Sequence, residues 1–175
     1  MKINFIFTFL LLVLMSCDEN VVQGQNGVVP SCEDPMLFAL EDLNSTSSTY
    51  GDVIGPSTWD GQIRLFYFST NEQWNTCVSR FASLNNIYND YLDTPIDVIV
   101  IGIGGNNNIP VNQITTSNNL PWVKENSNCN IWDEWDASNR DLYIMDLNGA
   151  IVLEQNLTAG VDETYLKYII NSLVD

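Results

Sequence analysis

Residues 96–103, IDVIVIGI, are a near-continuous run of β-branched apolar side chains. A strand that does not alternate is buried on both faces, as in a parallel sheet. Residues 63–69, IRLFYFS, read the same way, as a short strand rich in aromatics. Between them, Cys77/Val78, Phe81/Ala82, Leu84, Tyr88 and Tyr91/Leu92 recur at steps of three and four, which predicts a helix over 74–92. Asp93-Thr94-Pro95 breaks it. A strand, a helix and a second strand form a right-handed crossover, so the two strands are expected to be parallel neighbours. Loops at the carboxyl ends of such strands gather on one edge, where sites form.

The remaining pattern fits around this unit. Residues 36–43 alternate loosely and predict an outer strand, and a short strand is expected at 50–54. Residues 111–118 predict a short helix, 120–124 a short strand, and 131–137 a helical turn carrying Trp132 and Trp135. Strands at 142–147 and 150–157 flank Asn148-Gly149, a hairpin turn. Residues 162–173 form an amphipathic helix with Tyr165, Leu166, Ile169, Ile170 and Leu173 on one face. The order is α/β: a central mixed sheet with parallel strands, a C-terminal antiparallel hairpin, and helices on both faces.

The N-terminus reads as a targeting segment. Lys2 precedes an apolar run from Phe5 to Met15, too short to span a membrane and of signal-peptide proportions. Leu14-Met15-Ser16-Cys17 resembles a bacterial lipobox, whose cysteine becomes the lipid-bearing mature N-terminus. The expected organisation is a signal peptide at 1–16, a tether at 17–30 without periodicity, and a domain at 31–175. Lipid on Cys17 would hold the protein to a membrane of the bacterial cell envelope, outside the cytoplasm, where disulfides persist. Cys32, Cys77 and Cys129 then remain. One pair and one free thiol is the simplest arithmetic, and the sequence leaves the pair open.

Composition removes several functions. The chain has no histidine, which excludes Ser-His-Asp and Cys-His catalysis and weakens any transition-metal site. With 22 acidic and 6 basic residues, a net charge of −16, it cannot neutralise phosphates, so no nucleic-acid partner is expected. Gly102-Ile103-Gly104-Gly105 lacks nucleotide-fingerprint spacing, and no cofactor or metal is expected. The chemistry-bearing residue is Cys77, in the first turns of the helix after the first central strand. A helix N-terminus favours a thiolate; a lone helical cysteine is also a common small core residue. If 120–124 is parallel too, Cys129 follows it at the same edge, and two thiols face one crevice.

Residues 38–44 (FALEDLN), IRLFYFS, IDVIVIGI, LPWVKE and 140–152 (RDLYIMDLNGAIV) stand in the order found in thioredoxin-like proteins of the redoxin branch. The chain resembles that branch, which includes peroxiredoxins and membrane-tethered thiol–disulfide oxidoreductases. From LPWVKE onward it is most similar to the N-terminal redox domain of selenoprotein P. The resemblance implies a thioredoxin-like fold. It also implies two redox positions separated by two residues, which here read Trp74-Asn75-Thr76-Cys77, so that only the second is a thiol. Peroxiredoxins place their peroxidatic cysteine where Cys77 stands, and their arginine resembles Arg140. Their proline and threonine are missing here. So is the cis-proline of thioredoxins, where Asn139, Arg140 and Asp141 stand instead.

Two functions follow. In one, Cys77 attacks a peroxide or the disulfide of a partner protein, Arg140 stabilises the thiolate, and Cys129 resolves the intermediate. In the other, the domain is a redox-inactive binding or scaffold lipoprotein in which Cys32–Cys129 or Cys77–Cys129 is a structural bond. On that reading the five tryptophans are candidates to line a ligand groove.

Overall fold

The computed structural model describes residues 24–28, 30–32, 34–116 and 118–174. Its elements in chain order are β1 (Leu40–Glu41), β2 (Val53–Ile54), β3 (Ile63–Ser69), α1 (Asn75–Tyr91), β4 (Val98–Gly104), β5 (Trp122–Lys124), α2 (Ile131–Glu134), β6 (Asp141–Met145), β7 (Ile151–Asn156) and α3 (Glu163–Ser172). Five strands make one sheet in the order β5-β4-β3-β6-β7, and β1 and β2 form a separate antiparallel pair. β3 pairs in parallel with β4, from Ile63 opposite Val98 to Ser69 opposite Gly104. β4 and β5 are parallel, and β6 runs antiparallel to both β3 and β7.

β3 and β4 are buried at every position, as their near-continuous apolar runs predict, and Arg64 and Ser69 of β3 are buried with the rest. Alternation along β3 then assigns the faces. Leu65 and Tyr67 pack with Cys77, Phe81 and Leu84 of α1 and with Leu166 and Ile170 of α3. Phe66 and Phe68 pack on the other side with Phe38, Ile131 of α2, Trp135 and Tyr143. Helices thus cover both faces. Asn148 and Gly149 turn β6 into β7, with Gly149 at φ +85° and the Asp146 carboxylate accepting from the N–H groups of Asn148 and Ala150.

Two expected elements differ. The strand over 36–43 shrinks to Leu40–Glu41, because residues 35–37 form a 3₁₀ turn whose Met36 N–H is taken by the Asp34 carboxylate. The helix over 111–118 is a run of turns. There the side chains of Thr115, Thr116 and Asn118 bond back to the carbonyls of Val111, Asn112 and Ile114, competing with a helical ladder. Part of the segment read as tether docks on the domain: Gln25 N–H donates to Gly51 O at 3.1 Å and Asn26 Nδ2 to Val53 O at 2.9 Å. The signal peptide at 1–16, Cys17 and its lipid lie outside the described residues. Among the described residues no helix is long and apolar enough to cross a membrane.

Candidate thiol site

β3 ends at Ser69 on the sheet edge where β4 and β5 also end, and a short turn leads into α1. The Asn71 side chain accepts from Gln73 N–H at 2.9 Å, and Asn71 O accepts from Trp74 N–H at 3.3 Å. Trp74 is the N-cap of α1 and is 53% exposed. Cys77 is the third residue of the helix. It is a free thiol, and it is fully buried. The crossover and the capping turn therefore send position 74 outward and position 77 into the core.

The Cys77 Sγ–H donates to Asn139 Oδ1 at 3.8 Å. The same oxygen accepts from the Thr70 N–H at 3.1 Å, while Asn139 O accepts from Asn156 Nδ2 at 3.1 Å. Asn139 thereby ties the turn before α1, the thiol and the strand β7 together. On the other side, the Tyr67 hydroxyl donates to Cys77 O at 3.3 Å. Burial, above all, holds the Tyr67 hydroxyl in its protonated form to well beyond the usual tyrosine range; the Cys77 thiol acts in the same direction, and the charges of Arg140 and Arg80 oppose it. Arg140, next to Asn139 in the chain, thus acts on the Tyr67 hydroxyl that bonds the Cys77 carbonyl. Its backbone sits at φ +75°, held by Arg140 N–H to Phe68 O at 2.9 Å and Leu157 N–H to Arg140 O at 2.8 Å. Its Nε is buried and has no hydrogen-bond partner.

Cys129 is elsewhere. It is bonded to Cys32, with a Cα–Cα distance of 5.2 Å across 97 residues of sequence. β5 is parallel to β4 and Cys129 does follow it at the expected edge. The loop then folds onto the face opposite Cys77: Cys77 belongs to the α1/α3 core, and Cys129 to the core under α2. The sheet lies between them. Of the two pairings the sequence left open, the structure has Cys32–Cys129 and not Cys77–Cys129, so Cys129 is not placed to resolve Cys77, and the arithmetic of one pair plus one free thiol is met in that form. The tryptophans do not share a groove either. Trp122 and Trp135 are buried in opposite cores, Trp132 stacks edge-on to Phe68 at 5.2 Å, and Trp74 faces solvent.

Sequence reasoning missed one feature of this edge. Glu72, in the turn before α1, is fully buried and pairs with Lys124 of β5 at 3.2 Å. Lys124 also donates to Asn107 Oδ1 at 2.8 Å and Ile109 O at 2.9 Å. The pair clamps three chain segments beside the thiol turn. The available signal was the scarcity of cations: a basic residue ending a buried strand in so acidic a chain needs an acid nearby.

No protein-family profile matches the sequence, and no curated protein matches it. Solved structures do match. A secreted Mycobacterium tuberculosis disulfide oxidoreductase homologous to E. coli DsbE aligns over 81% of this chain and 100% of its own, with TM-score 0.61 and 16% identity. BsSco, a member of the Sco family of cytochrome c oxidase assembly proteins, aligns over 82% and 95%, with TM-score 0.60 and 13% identity. An uncharacterized thioredoxin-like protein from Porphyromonas gingivalis aligns over 78% and 88%, with TM-score 0.59 and 14% identity. The fold is thioredoxin-like. On this thioredoxin-like frame, the two positions that the sequence resemblance assigns to redox chemistry hold an exposed tryptophan and a buried thiol.

Proposed function

We propose that this is a lipid-anchored, extracytoplasmic thioredoxin-like protein of the bacterial cell envelope, periplasmic or at the cell surface, with single-thiol redox chemistry at Cys77. The observation that carries this reading is the free thiol in the first turn of α1, hydrogen-bonded to Asn139. In disulfide exchange, the Cys77 thiolate attacks one sulfur of a partner disulfide. The S–S bond breaks, the second partner sulfur leaves as a thiolate, and a mixed disulfide forms. In peroxide reduction, the thiolate takes one peroxide oxygen to give a sulfenic acid and an alcohol or water. An outside thiol then condenses with the sulfenic acid, releasing water and giving the same mixed disulfide. With Cys129 bound to Cys32, a second outside thiol must release Cys77 in either case. Because Cys77 is fully buried, attack requires a local opening that exposes its sulfur.

The second reading, a redox-inactive scaffold lipoprotein stapled by Cys32–Cys129, is favoured by that same burial. Alkylation mass spectrometry of the native full-length protein separates the two. Labelling of Cys77 without denaturant, and its capture as a mixed disulfide by a disulfide-bonded partner or by peroxide plus a small thiol, is the expected result. Turnover should vanish in Cys77→Ser. A thiol that labels only after unfolding leaves the scaffold reading standing.

A further inference from the structure

The end of the sheet remote from Cys77 holds a cleft of about 220 Å³. It opens where β5 stops short. β5 pairs only with Gly102–Gly104, and the last contact beyond it is Gly102 N–H to Pro121 O at 2.9 Å. The first half of β4 therefore has no strand on its outer side, and loops from three parts of the chain close around the gap. Trp59, Tyr91, Val98 and Pro121 supply apolar lining. Ser48, Gln62, Tyr88, Asp97 and Asn119 supply polar lining; Ser48, Asp97 and Asn119 are exposed at the rim, Gln62 and Tyr88 are half-buried, and among the described residues none of the five side chains is engaged by another protein group. In the adjacent loop, by contrast, Asp42 accepts from Asn44 N–H, Trp122 N–H and the Thr49 hydroxyl. A mostly polar lining set beside aromatic rings suits a small polar molecule rather than an apolar one.

The lining selects the ligand class. It contains no Lys or Arg, and the chain carries a net charge of −16, which disfavours phosphates and carboxylates. A carboxylate, two amides and two hydroxyls both accept and donate, which matches groups that do the same, namely hydroxyls. The rings of Trp59 and Tyr91 offer apolar surface for the C–H face of a ring. The volume falls below the ~300–1,000 Å³ of sites for larger ligands, so one ring fills it. We propose that this cleft binds a neutral, hydroxyl-rich ring of monosaccharide size, independently of the thiol chemistry at the other end of the sheet.

The test is isothermal titration of the full-length protein in detergent micelles with glucose, galactose and N-acetylglucosamine, and with choline and inorganic phosphate as competing chemistries. At least one sugar should bind one-to-one. Trp59→Ala removes core packing as well, so the informative variant is Tyr88→Phe with Gln62→Ala, which deletes only polar lining. It should weaken sugar binding about tenfold, the loss expected for one or two net hydrogen bonds. Cys77→Ser should bind unchanged, which keeps this result separate from that of the thiol reading. No sugar binding at concentrations up to about 10 mM, binding undiminished in the double variant, or tighter binding of choline or phosphate would each overturn the proposal.

Discussion

Asn139 is the residue through which the thiol pocket is assembled. Its one side-chain oxygen accepts from both the Thr70 N–H and the Cys77 thiol. The contact fixes the sulfur and ties the turn before α1 to it, so it restrains access to the thiol as well as its position. Asn139→Ala should cost about 1 kcal/mol of stability, the net worth of a hydrogen bond, and should speed alkylation of Cys77 at mildly alkaline pH. Asn139→Asp keeps an acceptor but adds a negative charge beside the sulfur, so it should slow alkylation. Rates that change in the same direction for both variants would mean that Asn139 acts only on packing. A second residue-scale expectation concerns Tyr143, whose hydroxyl donates to Trp135 O at 2.9 Å. Burial first, then the nearby Glu154, Asp141 and Asp136, pushes its pKa from 10.0 up to about 12. The folded value lies above the unfolded one. The associated stability is therefore full below pH 10.0 and is lost as pH rises through about 12. A denaturation series read alongside tyrosinate absorbance should show stability falling in that window, and Tyr143→Phe should make the fall shallower, the remainder coming from Tyr67 and Tyr91, which are also raised.

β4 shows how far an element can be read from its residues. Its apolar run announced a strand buried on both faces, and all seven positions are buried. The pattern did not announce why two of its residues are glycine. The indole of Trp122 on β5 lies against Gly102, where any Cβ would overlap it, and Gly104 makes room for the Glu72 carboxylate, Lys124 and the Trp122 indole. Such close approaches join elements distant in sequence, so periodicity within one element carries no trace of them. The same limit explains Cys129. Its edge of the sheet was legible from strand order, but its face depends on how the loop before α2 folds back over the sheet. Hydrogen bonding by Thr115, Thr116 and Asn118 likewise unmade a helix that apolar spacing alone suggested. The glycine argument has a direct consequence. Gly102→Ala must push the Trp122 ring off Phe81, with which it now stacks edge-on at 5.0 Å. Overpacking of this kind costs about 1–3 kcal/mol, read as a lower urea midpoint with unchanged slope. Gly61→Ala, where no atom lies within 4 Å but φ is +81°, should show only the cost of backbone strain.

Across the whole molecule, the sheet divides two sulfur chemistries. One face holds the free thiol under α1. The other holds a bond that ties the entering chain at Cys32 to the loop before α2, across 97 residues. A cross-link over so long a loop restrains the unfolded chain strongly, worth about 3–5 kcal/mol in the chain-entropy account. It also pins the described part of the N-terminal segment to the domain, beside the Ser31–Ala39 bridge. If the bond is a staple and the thiol the reactive group, the two must respond independently. Cys32→Ser with Cys129→Ser should lower stability by that amount in urea denaturation while leaving the native alkylation rate of Cys77 within about twofold, as expected for distant sites that do not share partners. A large rise in Cys77 reactivity in the double variant, with the domain still cooperatively folded, would mean instead that the bond under α2 governs access to the thiol through the sheet. The route for such coupling is short: Trp132 of α2 stacks on Phe68, whose carbonyl holds Arg140 beside Asn139. Comparing the alkylation rate with the unfolding free energy in one preparation decides between a passive staple and a control element.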